Sequence, residues 1–169
     1  YHHHDLRDAT SRVFAQRYGV DQAHAARVEE AALHLFDRLV PAARDPDHPD
    51  RRLLGWAAQL HEIGISVAHS GYHKHSAYIL ANADMPGFSK MDQARLSRVV
   101  LAHRGKLERI AGLDPASTDW LLIASLRLAA VMHRARDGRN IPPMELHAEG
   151  PDLVLGVDGG WLQQHPLTT

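Results

Sequence analysis

Four histidines crowd the run Leu60–Tyr78, LHEIGISVAHSGYHKHSAY, together with a glutamate and a lysine. Imidazole is neither a good apolar filler nor a common surface residue, so this density fits a chain that holds a metal ion, an anion or a proton. His61 and Glu62 follow an apolar stretch and precede Ile63-Gly64, a setting that can aim two ligand side chains into a cavity. His24 lies on the inward stripe of an earlier helix, in line with Val28 and Leu35. Two histidines and a carboxylate can hold a divalent ion. The alternative, that both imidazoles are buried, neutral and hydrogen-bonded, stays open on spacing alone.

A second cluster, His69, His73, Lys74 and His75, surrounds Ser70-Gly71. If Ser70 caps the helix that follows, free backbone N–H groups and the helix dipole point at this place and make an anion site. His73 and His75 are two residues apart and cannot face one ligand from one helix, so one of them is structural. Arg104-Gly105-Lys106, after His103, adds two firm positive charges beside a glycine. Here the alternative is an ordinary solvated helix end, where cations suit the dipole. The other histidines read as structural or solvated: His34 on a polar helix face, His48 in a proline-rich loop, His133 near a helix end, His147 on the outer face of a strand. Trp56, Trp120 and Trp161 read as packing residues. Arg95 and Arg98 read as a solvated face that extends positive surface toward Arg104.

The elements that must position these groups are mostly helical. A first helix covers Leu6–Tyr18 and stops at Gly19; a second takes Asp21 as N-cap, runs to Val40 and ends at Pro41. After the loop Arg44–Asp50, a third helix at Arg51–His61 puts Leu54, Ala57 and His61 on one stripe. The loop Glu62–Gly71 leads to a fourth helix, Tyr72–Ala83. Ser89 with Asp92 forms a capping box for a fifth, ending near Arg104. A long sixth follows Asp114-Pro115 and ends near Gly138. The period then changes: Met144, Leu146 and Ala148, then Leu153, Leu155 and Val157, alternate across Glu149–Asp152, which predicts a β-hairpin docked on the helices.

Size and composition bound the rest. With 169 residues, 18.8 kDa and 44% hydrophobic content, the chain is one domain's worth of core. A net charge of −1 gives no global field toward nucleic acid or membrane, so anion binding must come from local clusters. There is no cysteine, which excludes disulfides and thiolate metal sites. Trp120–Met132 is too short for a membrane span and is interrupted by Arg127. Residues 1–4 read as a tag remnant, 5–138 as the helical domain, and 139–169 as a hairpin and cut-off end packed on it.

The order of these motifs resembles HD-type phosphohydrolases: a helix with His24, then His61-Glu62-Ile63-Gly64, a histidine-rich turn and a long apolar helix. More specifically, LHEIGISVAHSGYHKHSAYIL, DMPGF at Asp84–Phe88 and AHRGK at Ala102–Lys106 are similar to the C-terminal domain of exopolyphosphatases, which belong with the guanosine pentaphosphate phosphohydrolases. The similarity runs from Asp5 to Thr169. It implies a mainly α, HD-domain-like helical bundle with a small C-terminal β-hairpin. It also implies that phosphoanhydride hydrolysis, with its magnesium, belongs to two N-terminal domains of the actin and sugar-kinase type, while this piece grips polyphosphate and builds a homodimer interface. HD hydrolases use His, His-Asp and a later Asp as ligands. Here the pair is His61-Glu62, and Ala130 stands in place of the later aspartate, where it cannot ligate.

The expectation is therefore the C-terminal domain of a cytoplasmic exopolyphosphatase. It has no catalytic residue and no cofactor of its own, and binds polyphosphate through His69, His73, Lys74, His75, Arg104 and Lys106. Guanosine pentaphosphate is the other substrate in view, through the parent enzyme. His24, His61 and Glu62 remain weaker metal candidates. Two rivals stand beside it: an autonomous metal-dependent HD nucleotide phosphohydrolase, and a purely structural dimerisation module.

Overall fold

Ala25, Val28, Ala32 and Leu35 recur at three- and four-residue steps, and that stripe commits Gln22–Leu39 to an amphipathic helix with its apolar side buried. The computed structural model describes residues 2–105, 118–134, 144–149 and 152–157, the strands and residues 2–5 as backbone alone. It is mainly helical: α1 (His2–Arg17), α2 (Gln22–Leu39), α3 (Pro49–Leu60), α4 (Tyr72–Asn82), α5 (Lys90–Ala102) and α6 (Thr118–Met132). α2 packs on α3 and α6, α4 pairs with α5, and α1 lies along α3. Leu35, Phe36, Leu54, Leu60, Leu80, Leu96, Leu122, Ile123 and Leu126 interdigitate as a solvent-free core. Truncating one of these leucines to alanine costs about 2–5 kcal/mol. Two strands, β1 (Met144–Glu149) and β2 (Asp152–Val157), pair antiparallel with Met144 opposite Val157. Lys106, Asp114-Pro115 and Trp161 lie outside the described residues.

Local chemistry sets the helix ends. Asp21 caps α2, its carboxylate accepting from the His24 N–H at 3.0 Å. Ser89 and Asp92 form a reciprocal capping box on α5. α3 starts two residues earlier than the sequence pattern gave, because Pro49 is pre-set for the first helical position and the His48 ring accepts from the Asp50 N–H. The start of α4 differs in kind. Its N-cap is Gly71, at φ +65° and with no side-chain cap, so Ser70 does not cap this helix.

Between α3 and α4 the chain makes a short 3-10 turn, Ile63–Ser66. Gly64 is pressed onto α4: a Cβ there would collide with the Tyr72 carbonyl oxygen and the Ser76 amide. Its N–H donates to Ser76 Oγ at 2.7 Å, and that hydroxyl donates to the His61 carbonyl at 2.8 Å. The strap that carries His61 and Glu62 is thus fixed to α4 by one buried serine.

Candidate functional site

α3 and α5 end alike. His61 and His103 are each the C-cap of their helix, and each directs Nδ1 at the carbonyl three residues back, His61 to Ala58 at 2.5 Å and His103 to Val100. A carbonyl only accepts, so Nδ1 carries the proton in both rings and Nε2 is left as the acceptor. The two rings meet edge to face, 5.2 Å between centroids. Tyr72, at the first turn of α4, brings its hydroxyl to 3.3 Å from His103 Nε2 and donates to it. His73 packs edge-on against His103 at 6.4 Å, on the buried side.

His24 comes from the first turn of α2. Its Nε2 lies 3.8 Å from Glu62 Oε2, and its ring is 6.3 Å from that of His61. One ligand atom from each of His24, His61 and Glu62 falls within 4.8 Å of the others, and all three residues are buried. The sequence stripe that put His24 and His61 inward describes their placement.

These groups form one end of a cleft of about 620 Å³. Its remaining wall includes His69, Arg104 and Gly105, and from α6 Arg127, Ala130, Val131 and Arg134. Arg104 lays its guanidinium over the Tyr72 ring at 5.1 Å. Arg127 reaches across from α6 to donate to the carbonyls of Ala102 (3.2 Å) and Gly105 (2.6 Å), and so fixes the turn that carries Arg104. Among the described residues, none of Arg104, Arg127 and Arg134 makes an ion pair with a carboxylate. Burial pushes Arg127 down from the ordinary guanidinium value. His103 is held well below the usual imidazole range, first by burial and then by the neighbouring His61, with His73 and Arg104 adding to it.

Of the sequence candidates, His69 and Arg104 line the cleft. His73 is buried behind it, and the exposed Lys74 and half-buried His75 are not in its wall. Arg95 and Arg98 do not extend a positive surface. Arg95 is gripped by Asp119 at 2.7 Å and Asp50 at 2.6 Å, and Arg98 by Asp119 at 2.6 Å. Sequence reasoning missed Arg127, Arg134, Tyr72 and the acceptor role of His103. A signal existed for two of them. Arg127 is the single charge inside the apolar run Trp120–Met132, and Ala102-His103 repeats the helix-ending pattern of Leu60-His61.

The comparisons with known proteins agree with this arrangement of motifs. Residues 6–169 match the family described as Ppx/GppA phosphatase, domain III. The chain belongs to the Ppx/GppA phosphatase family, as its domain III. Its relatives include proteins named guanosine-5'-triphosphate,3'-diphosphate pyrophosphatase. That of Aeromonas hydrophila subsp. hydrophila is 35% identical over 98% of this chain and 34% of the relative. Those of Pseudoalteromonas translucida and Vibrio vulnificus are 33% and 30% identical, over 98% and 97% of this chain and 34% and 33% of the relative. The chain thus spans about a third of the length of the curated relatives it matches.

Proposed function

We propose that this chain is the phosphate-gripping domain of a cytoplasmic phosphoanhydride hydrolase, and that the 620 Å³ cleft is where it grips. The observation that carries this reading is the trio Arg104, Arg127 and Arg134, three cations on one cleft with no carboxylate paired to them among the described residues. A guanidinium held part-way out of water and answered only by carbonyl dipoles favours an incoming anion, and phosphate offers the matching planar pairs of oxygens. His69 at the rim adds a donor, and Lys74, His75 and Lys106 fit contacts further along a long chain.

Catalysis in the parent, with magnesium, is assigned to domains outside this chain. Magnesium demands oxygen ligands and octahedral geometry, so the imidazoles of His24 and His61 do not fit it. The bundle is read as HD-like, with β1 and β2 as its small hairpin, and the parent as a homodimer. Among the ligands in view, the relatives' names favour guanosine pentaphosphate over inorganic polyphosphate as the parent's substrate.

The test is calorimetric titration of the chain with orthophosphate, long-chain polyphosphate and guanosine pentaphosphate. Affinity that rises from orthophosphate to the polyanions, and falls on Arg104→Ala, is expected. Equal and negligible heats for all three at low salt would leave only the dimerisation module, which light scattering then detects as a particle of twice the chain's mass.

A further inference from the structure

A second cleft, between α1, α2 and α3, plays no part in the phosphate reading and shares no lining residue with the first. It encloses about 460 Å³, room for a ligand the size of a nucleoside. Two of its arginines are spent on the fold, Arg51 on Asp37 and Arg52 on Asp8. Glu29 on α2 is different. Its carboxylate is half-buried, and among the described residues one group donates to it, the Gln59 amide, whose Nε2 lies 3.2 Å from one oxygen and 3.4 Å from the other. An ionised carboxylate offers about four acceptor positions, so most of this one faces the cleft unanswered. Burial pushes Glu29 above the ordinary carboxylate value; the Gln59 bond offsets part of this, Asp8 adds to the rise and Arg51 opposes it.

Gly55 makes the space for that carboxylate. A glycine inside a helix costs conformational entropy, and Gly55 lies in the middle of α3. Beyond its own helix, the atoms a Cβ there would meet are Glu29 Oε2 at 3.0 Å and Glu29 Cδ at 3.9 Å. The helix thus gives up stability at the one point where a methyl group would displace this carboxylate, the exchange a binding site makes.

We propose that this cleft binds the guanine base of a mononucleotide, with the Glu29 carboxylate accepting from the base's N1–H and 2-amino group. The charges select the class. A bare anion is turned away by Glu29. A small cation gains nothing where three guanidiniums, Arg12, Arg51 and Arg52, stand against two carboxylates, Asp8 and Glu29. A purely apolar ligand would bury Glu29 further without answering it. What fits is a neutral group with two parallel N–H donors, and guanine alone among the common nucleobases carries two donors side by side on one edge. Ala15 and Ala25, with Gly55, bring little bulk to the wall beside it. Arg12 is exposed on the same wall and makes no ion pair among the described residues, so it meets the nucleotide's phosphate.

Neutral nucleosides test this without engaging the phosphate cleft. The chain is titrated by calorimetry with guanosine, inosine and adenosine. Guanosine is expected to bind; inosine, which lacks the 2-amino group, about 10-fold more weakly; and adenosine not measurably. Glu29→Gln should weaken guanosine about 10-fold or more, since its amide replaces one acceptor with a donor. Gly55→Ala should weaken guanosine as well, yet leave the melting temperature unchanged or raised, an outcome that damage to the fold does not give. Arg12→Ala should bring the affinity for guanosine monophosphate down to that for guanosine. Equal or absent binding of the three nucleosides overturns the proposal. So does guanosine binding that survives Glu29→Gln intact or is lost in Arg104→Ala instead, which would put the base in the other cleft. Monophosphate affinity that is untouched in Arg12→Ala overturns the part given to Arg12.

Discussion

Two clefts flank α2, and they use arginine in opposite ways. The first, about 460 Å³ between α1, α2 and α3, is lined by Arg12, Arg51 and Arg52, and the last two are answered by carboxylates. Arg51 bonds Asp37 at 3.0 Å, and Arg52 bonds Asp8 at 3.0 Å, with the Trp56 indole N–H donating to the same aspartate at 2.8 Å. The guanidiniums of Arg7 and Arg52 lie over the Trp56 ring at 4.5 and 5.0 Å, which joins both to one aromatic face. The second cleft holds arginines answered only by backbone carbonyls or an aromatic face. Charge that is neutralised locally stabilises the fold and attracts little from outside; charge left over is available to a ligand. On the reading proposed above, the difference separates arginines that hold helices together from arginines open to a phosphate.

That contrast can be broken most severely at its hinge. Gly64→Ala puts a methyl group into the backbone of α4, and is expected to destabilise the protein by about 3 kcal/mol, read as a lower urea midpoint. It should also abolish phosphate binding, since the strap can no longer sit against Ser76. Next in size is a paired comparison. Arg95→Ala removes the guanidinium shared by Asp50 and Asp119, leaving Asp119 with Arg98, and is expected to cost about 2 kcal/mol with phosphate affinity unchanged. Arg134→Ala, exposed at the rim, should leave the urea midpoint within about 0.5 kcal/mol and weaken phosphate binding.

Acid separates the clefts more gently. His103 is neutral when folded and its ordinary imidazole value lies near ~6.5, so the unfolded chain binds the extra proton first. Its contribution is fully present above that value and is lost as pH falls below it, by about 1.4 kcal/mol per pH unit until the depressed folded value is reached. His103→Asn should flatten this part of the melting-temperature profile. In the other cleft burial pushes Asp8 up, but the hydrogen bonds from Trp56 and Arg52 outweigh it and its carboxyl ends below the ordinary value. Its share is present above about pH 3.9 and is lost below that, in a separate and lower window.

Much of the scaffold was legible because it is encoded by neighbours. Asp21 and Ser89 with Asp92 announce their helices within four residues, and the apolar step that buries Val28 and Leu35 also turns His24 inward. The site was half legible for the same reason: His24 lies on a helix and His61 at the end of one, where periodicity fixes which way each points, and Glu62 follows His61 into the turn. What periodicity does not encode is which element crosses which. Arg127 enters the cleft because α6 packs against α2 and α5, and Arg95 is neutralised because Asp50 and Asp119, far away in sequence, converge on it. Ser70 was misleading as a cap because Gly71 reaches the left-handed turn that ends the strap at no steric cost, and α4 begins from there.

The central claim is that the unanswered arginines exist to meet phosphate, and salt dependence tests it most directly. Polyphosphate affinity of the chain, Arg104→Ala, Arg134→Ala and Arg95→Ala is measured across a sodium chloride series. Each phosphate contact on a flexible chain adds about 0.7 to the slope of log affinity against log salt. The account predicts that Arg104→Ala and Arg134→Ala each lose about that much slope while Arg95→Ala keeps all of it. Equal slopes for all four proteins, or a loss confined to Arg95→Ala, would contradict it.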